Sequence, residues 1–152
     1  MLPQVIAVVS LAATGIVSGV FFAITVSVLP TLFAMPPGQY VTAHRRLGRG
    51  YHPVMPLLVS CALLADIALA VVAGGDAART LAIAGAVSLI GVQLVSQFGN
   101  VPINKIVHGT DPDAISADWA DPRPAWRSWH LLRTGFAVTA MTIAAAAVVV
   151  TA

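Results

Sequence analysis

The chain has 152 residues, of which 58% are hydrophobic and only 9% charged, with a formal net charge of +2. A soluble domain of this length carries about a quarter charged residues, so this chain lacks the polar surface to stand in water and reads as a membrane protein. One cysteine excludes an internal disulfide and a cysteine-based metal centre, and no basic and aromatic pattern suggests nucleic acid.

The first apolar run, roughly Pro3 to Val28, has no basic segment before it and continues past signal-peptide length. It therefore reads as a retained transmembrane span. Within it Thr14, Ser18 and Thr25 share a face with Phe21, and Gly15 and Gly19 read as a close-packing site. Residues 35–52 open with two prolines and then carry a short basic helix that brings His44 and His52 with it. The second span is roughly Val54 to Ala73. It contains Cys61, read as a small buried hydrophobe, and Asp66, expected against Gln93 or a hydroxyl of the first helix. Gly74 to Arg79 form a tight turn into the third span, roughly Leu81 to Val101.

Gln93, Gln97, Asn100 and Asn104 follow one another at spacings of 4, 3 and 4. On a regular helix they fall within roughly 60° of one another. Residues 105–124 are polar, acidic and proline-rich, and read as a surface loop. The fourth span, roughly Trp129 to Val150, begins as a helix at Pro124, an N1-type proline. There Trp126, His130 and Arg133 share a face, with Trp129 beside them.

These elements predict an all-α integral membrane four-helix bundle, one domain over residues 1–152, with a short amphipathic helix between spans one and two. Arg45, Arg46, Arg49, Lys105, Arg123 and Arg127 lie in the two longer connections, against Arg79 alone on the other side. That asymmetry places the longer loops in the cytoplasm and both termini outside, in a multi-pass cell-membrane protein.

Amides in hydrocarbon cost free energy unless paired. Counting depth along the helices groups Asp66 with Gln93 and Ser18 in a mid-membrane layer. Gln97, Asn100, Asn104, His130 and Arg133 form a second layer nearer the longer loops, joined there by His44 and His52. Helix adhesion accounts for the first layer. An arginine, a histidine and three amides on converging faces point instead to a functional pocket.

The third-helix ending "NVPIN", followed by a loop and "WRSWHLLRT", resembles the anthrone oxygenase-like family of small four-span membrane proteins. "HRRLGRGYHPVMPLLV" is similar to that family's approach to its second helix. The family pattern, an asparagine after a proline-containing turn and then Trp-x-x-x-Asn-x-x-Arg, falls on Asn104, Trp126, His130 and Arg133. His130 stands where the family usually has asparagine.

The resemblance implies oxidation of an electron-rich aromatic, an anthrone-type polyketide, with molecular oxygen to a quinone. It firmly implies no cofactor. In that chemistry Trp126 and Trp129 would pack on rings, with Gln97, His44, His52 and Phe21 completing the substrate pocket. His130 would take a proton, and Arg133, Asn100 and Asn104 would hold an oxyanion.

Two other readings compete. One is a metal or haem protein ligated by His44, His52 and His130. The other is a non-enzymatic membrane subunit, which predicts a solidly packed interior. The partners expected are the lipid bilayer, a small aromatic and oxygen; an oligomer is compatible with the sequence.

Overall fold

A computed structural model describes all residues, Met1–Ala152. The chain is helical with no strand, and four helices are long and apolar enough to cross a membrane. They are α1 (Leu2–Ala34), α3 (Val54–Val72), α4 (Asp76–Gly109) and α5 (Arg123–Thr151). The amphipathic α2 (Pro37–Tyr51) joins the first two. The four spans form a ring in which each packs on its chain neighbours and α5 closes back on α1. Their outer faces are apolar: Leu57, Leu64, Val71 and Val87 are all exposed, as suits helices bathed in lipid.

The inner faces are built from small side chains. Along α5, Ala137, Ala140, Ala144 and Ala147 are buried at helical spacing, and α1 offers Ala7, Ser10, Thr14 and Val17 in return. Small residues let backbones approach closely where lipid removes the hydrophobic drive for association.

The spans are longer than their hydropathy suggests, and unequal. α1 has 33 residues and α4 has 34, whereas α3 has only 19. The loop reading of residues 105–124 is corrected accordingly: α4 runs on through Gly109, and the connection proper begins at Thr110. Both long helices contain a π turn, at Ile24–Val28 and at Ser96–Asn100. A proline follows each, Pro30 and Pro102. Proline has no N–H and its ring clashes with the carbonyl four residues back, and an extra residue in the turn accommodates that clash.

The unequal lengths correct the depth layers. Asp66 is 12 positions into α3, and its Oδ1 accepts a 2.6 Å hydrogen bond from Ser10, about twice as far from the end of α1. The Asp66–Gln93–Ser18 layer is therefore not formed, although the expected helix-one hydroxyl is found. Gln93 reaches Ser60 instead. The start of α3 lies about 18 Å short of the ends of α1 and α4, and α2 fills part of the space beneath it, packed on the lower parts of both.

Three helix C-termini are closed by arginines. Arg45 donates to the carbonyls of Val107, His108 and Thr110 at the end of α4. Arg123 donates to Leu32, Phe33 and Met35 at the end of α1, and Arg79 to Ala70 and Ala73 at the end of α3. These residues satisfy orphan carbonyls and place positive charge at the negative end of each helix dipole. Arg123 also pairs with Asp121 at 2.6 Å and holds that carboxyl below its ordinary range. Next to it Tyr40 is buried, and burial pushes its phenol up to about 12.

The glycines expected to mark close packing are the wrong ones. A Cβ at Gly15 or Gly19 would meet nothing within 4 Å, whereas one at Gly85 would lie 2.5 Å from Asp66 Oδ2. Cys61 is exposed on the outer face, not buried. Gly85→Ala is expected to lower stability by about 1–3 kcal/mol through overpacking against Asp66. Gly15→Ala should be neutral or stabilising by up to about 1 kcal/mol from helix propensity. Thermal unfolding in detergent distinguishes the two; equal losses would contradict this packing.

Candidate active site

The gap beneath α3 is a cavity of about 210 Å³ lined by 20 residues from α1, α2, α3, α4 and α5. An apolar cavity of about 150 Å³ admits a benzene ring, so this one has room for a larger ring system. Phe21, Val59 and Val92 supply apolar wall, and Gln93, Ser96, Asn104, Trp126, His44 and Arg133 supply polar groups. His52 stands exposed at the mouth, where α2 passes into α3.

Asn104 organises the mouth. Its Oδ1 lies 3.0 Å from Trp126 Nε1 and 3.0 Å from His44 Nε2. An indole N–H only donates, so Trp126 fixes which end of the amide is oxygen. His44 Nε2 must then be the second donor. The lone pair of a neutral His44 is left on Nδ1, which no protein group takes. Burial, chiefly, lowers the His44 pKa from its ordinary value; the Asn104 hydrogen bond opposes this, and the nearby His108 and Arg133 add to it. His44 therefore stays neutral around pH 7, with that lone pair available.

His130 is fully buried and lies behind this wall, not on it. Its Nε2 is 3.0 Å from the carbonyl of Phe21, three residues before the first π turn, and Thr25 Oγ1 also donates to that carbonyl. A carbonyl only accepts, so Nε2 carries the proton. Nδ1 then accepts from Arg133 Nε at 3.1 Å and Nη2 at 2.9 Å. Trp126 stacks on the other side of the ring at 5.3 Å between centroids. The sequence reading of His130 as the base is thus corrected: its only lone pair is already filled by Arg133. His130 holds Arg133 in place.

Arg133 lines the cavity with its guanidinium 4.5 Å over the Phe21 ring. It makes no ion pair; the two in the chain join Arg79 to Asp76 and Arg123 to Asp121. Its Nη1 has no acceptor. An uncompensated guanidinium between helices has the charge and donor geometry to hold an anion.

The second π turn redistributes the polar stripe of α4. Regular spacing expects Gln97 on the wall. The extra residue in the turn brings Ser96 there and leaves Gln97 exposed on the outside. Asn100 is fully buried, but its Nδ2 donates to the Trp126 carbonyl and it faces away from the cavity. Trp129 is partly exposed and packs on Gly99, where a Cβ would overlap its ring. Of the expected residues, Asn104, Trp126, Arg133, His44, His52 and Phe21 share the cavity; Gln97, Asn100, Trp129 and His130 do not. Ser96 and Tyr51 line it unanticipated: Ser96 enters through the π turn, and Tyr51 shares the face of α2 that carries His44, seven positions earlier. No three His, Cys, Asp or Glu side chains come together as metal ligands, so His44, His52 and His130 do not converge.

The chain belongs to the anthrone oxygenase family. The family model, described as anthrone oxygenase, matches residues 44–143. No curated protein and no solved structure matches the chain. The match to the anthrone oxygenase family begins at His44 and takes in Asn104, Trp126, His130 and Arg133, but not Phe21 on α1.

Trp126→Phe keeps a ring stacked on His130 and removes only the N–H that orients Asn104. Imidazole nitrogen NMR shifts should show His44 as a single Nε2–H tautomer in the wild type and as a mixture in this variant. A mixture in both would show that Trp126 does not set the tautomer.

Proposed function

We propose that the protein is a membrane-embedded oxygenase that oxidises an anthrone-type aromatic with molecular oxygen to a quinone. Family membership supports the reaction class. The observation that carries the reading is Arg133, a guanidinium without a carboxylate partner on the wall of an apolar cavity. A non-enzymatic subunit would have a packed interior at this place.

An anthrone carries a methylene between two rings, opposite its carbonyl. Loss of one methylene proton puts negative charge on the carbonyl oxygen. Arg133 Nη1 and the Asn104 amide N–H stabilise that oxyanion, and a water-poor site strengthens both interactions. His44 Nδ1 takes the proton. The electron-rich anion transfers an electron to oxygen, and the resulting pair combines as a carbon-bound peroxide, protonated by His44. Removal of the second methylene proton then breaks the O–O bond. One oxygen atom stays as the new carbonyl and the other leaves as water, so each quinone consumes one O₂.

The Lys and Arg asymmetry orients the cavity mouth towards the cytoplasm. A cysteine at position 46 should be labelled only after permeabilisation of cells by a membrane-impermeant thiol reagent, in a Cys61→Ala background. Labelling of intact cells would reverse the orientation.

Oxygen uptake and quinone absorbance with purified protein and an anthrone test the reaction. Arg133→Lys keeps the charge but loses the planar fork and should lower kcat at least about tenfold. His44→Gln should lower it by about 10²–10⁴. Burial lowers the His44 pKa from its ordinary value, so the neutral base persists below the usual histidine range and is lost only as pH falls through that lowered pKa. kcat/KM should therefore show an acid limb below about pH 6.5 that vanishes in His44→Gln. His130→Asn retains an acceptor for Arg133 and should keep the limb; disappearance of the limb in that variant would return the base role to His130.

A further inference from the structure

Gln93 has no part in the chemistry above, yet it stands on the same cavity wall as Arg133. Its Nε2 reaches Ser60 Oγ at 3.4 Å, the outer limit of a hydrogen bond, and its Oε1 has no partner. Ser96, brought inward by the π turn, lies next to it on the wall, among Phe21, Val59 and Val92. An amide in such apolar surroundings is costly to leave half-satisfied.

Its depth can be set against Arg133. α4 and α5 run antiparallel, with Gly99 against Trp129, Gly91 against Phe136 and Gly85 against Ile143. That register sets the Arg133 backbone opposite Val95, so the Gln93 backbone lies about 3 Å deeper. Side chains lean towards the N-terminus of their own helix, so the Arg133 guanidinium turns back towards the mouth to reach His130, whereas the Gln93 amide leans inwards. The Gln93 amide thus lies beyond the guanidinium, towards the closed end of the cavity. From the mouth inwards the wall presents a base, an anion holder and then a neutral acceptor.

We propose that Gln93 determines substrate specificity: its Oε1 accepts a hydrogen bond from a free hydroxyl on the outer ring of the aromatic whose oxygen Arg133 holds. The proposal rests on the oxygenase reading for the identity of that aromatic. Arg133 and Asn104 offer only donors to the ligand, so neither recognises a hydroxyl as a donor. Gln93 does. A hydroxyl beside the oxyanion bonds internally to it, whereas one further out on the ring is free, and the inward-leaning amide of Gln93 reaches the latter. A hydroxyl entering the same apolar end without an acceptor would lose its water and gain nothing.

Equilibrium binding tests this without turnover. Detergent-solubilised protein is titrated with anthraquinone and with 2-hydroxyanthraquinone at about pH 6, where a phenol keeps its proton. The wild type should bind the hydroxylated probe about 10–100-fold more tightly than its parent. Gln93→Leu should bring that ratio near one while leaving the Kd of the parent unchanged. Gln93→Asn, with the amide withdrawn by one methylene, should give an intermediate ratio. Ser60→Ala removes the partner across the helices and should leave the ratio as in the wild type. A wild-type ratio near one, or a ratio unaltered in Gln93→Leu, overturns the specificity role and makes Gln93 a helix-bridging residue. Failure of both probes to bind the wild type overturns the oxygenase reading itself, and this inference with it.

Discussion

The length of one helix shapes everything around the cavity. At about 1.5 Å per residue, the 19 residues of α3 span about 29 Å, which is the hydrocarbon thickness and little more. The 33 and 34 residues of α1 and α4 span about 50 Å. Four helices therefore enclose one half of the bundle, and three enclose the other. The amphipathic α2 crosses the open side and carries His44 inward on its buried face. Lengthening α3 by two turns would fill the pocket with backbone. The same shortfall puts the cavity towards the end of the bundle that carries the two longer connections.

Polar groups in such a bundle need partners, and the chain supplies them economically. Arginines close the C-termini of α1, α3 and α4. The Phe21 carbonyl takes Thr25 and His130. Most other hydroxyls bond back to their own helix, as Thr14, Ser88, Thr134 and Thr142 do. Against that background Arg133 differs in kind. Its Nε and Nη2 are held by a neutral ring, its remaining nitrogen opens on the cavity, and no charge answers its own.

Span number, the amphipathic helix and the half of the bundle that holds the cavity were legible because they depend on composition and on the period of about 3.6 residues. Arg133, Asn104 and Trp126 were found by counting along regular helices, and counting failed where the helix was not regular. Gln97 and Ser96 exchange places because of one extra residue in a turn. Pro102, six residues after Ser96, is the one sequence signal that could have warned of it. Asp66 was paired with the wrong depth because hydropathy ends a span where side chains turn polar, while the backbone stays helical through Lys105 and His108. The capping roles of Arg45, Arg79 and Arg123 were hidden for another reason: in sequence they are only charges that set orientation. Motif position and residue type point to His130 as a base, and only the hydrogen-bond directions show that its lone pair is spent.

Those directions also explain why amides and imidazoles, not carboxylates, surround Arg133. Asn104 can accept from Trp126 and His44 with its oxygen while its nitrogen still donates to a ligand. An aspartate there would accept as well, but it would have no donor left and would pair with Arg133. At position 130 the argument is the same. Histidine here, and the asparagine of the family pattern, both accept from a guanidinium without neutralising it. A carboxylate would hold Arg133 more firmly and cancel the charge that makes it useful. The chain contains no glutamate, and the one aspartate buried within the bundle, Asp66, bonds Ser10 well away from the cavity. The near absence of acid from the bundle, which first appears as a mark of lipid burial, is thus also what leaves the charge of Arg133 unpaired on the cavity wall.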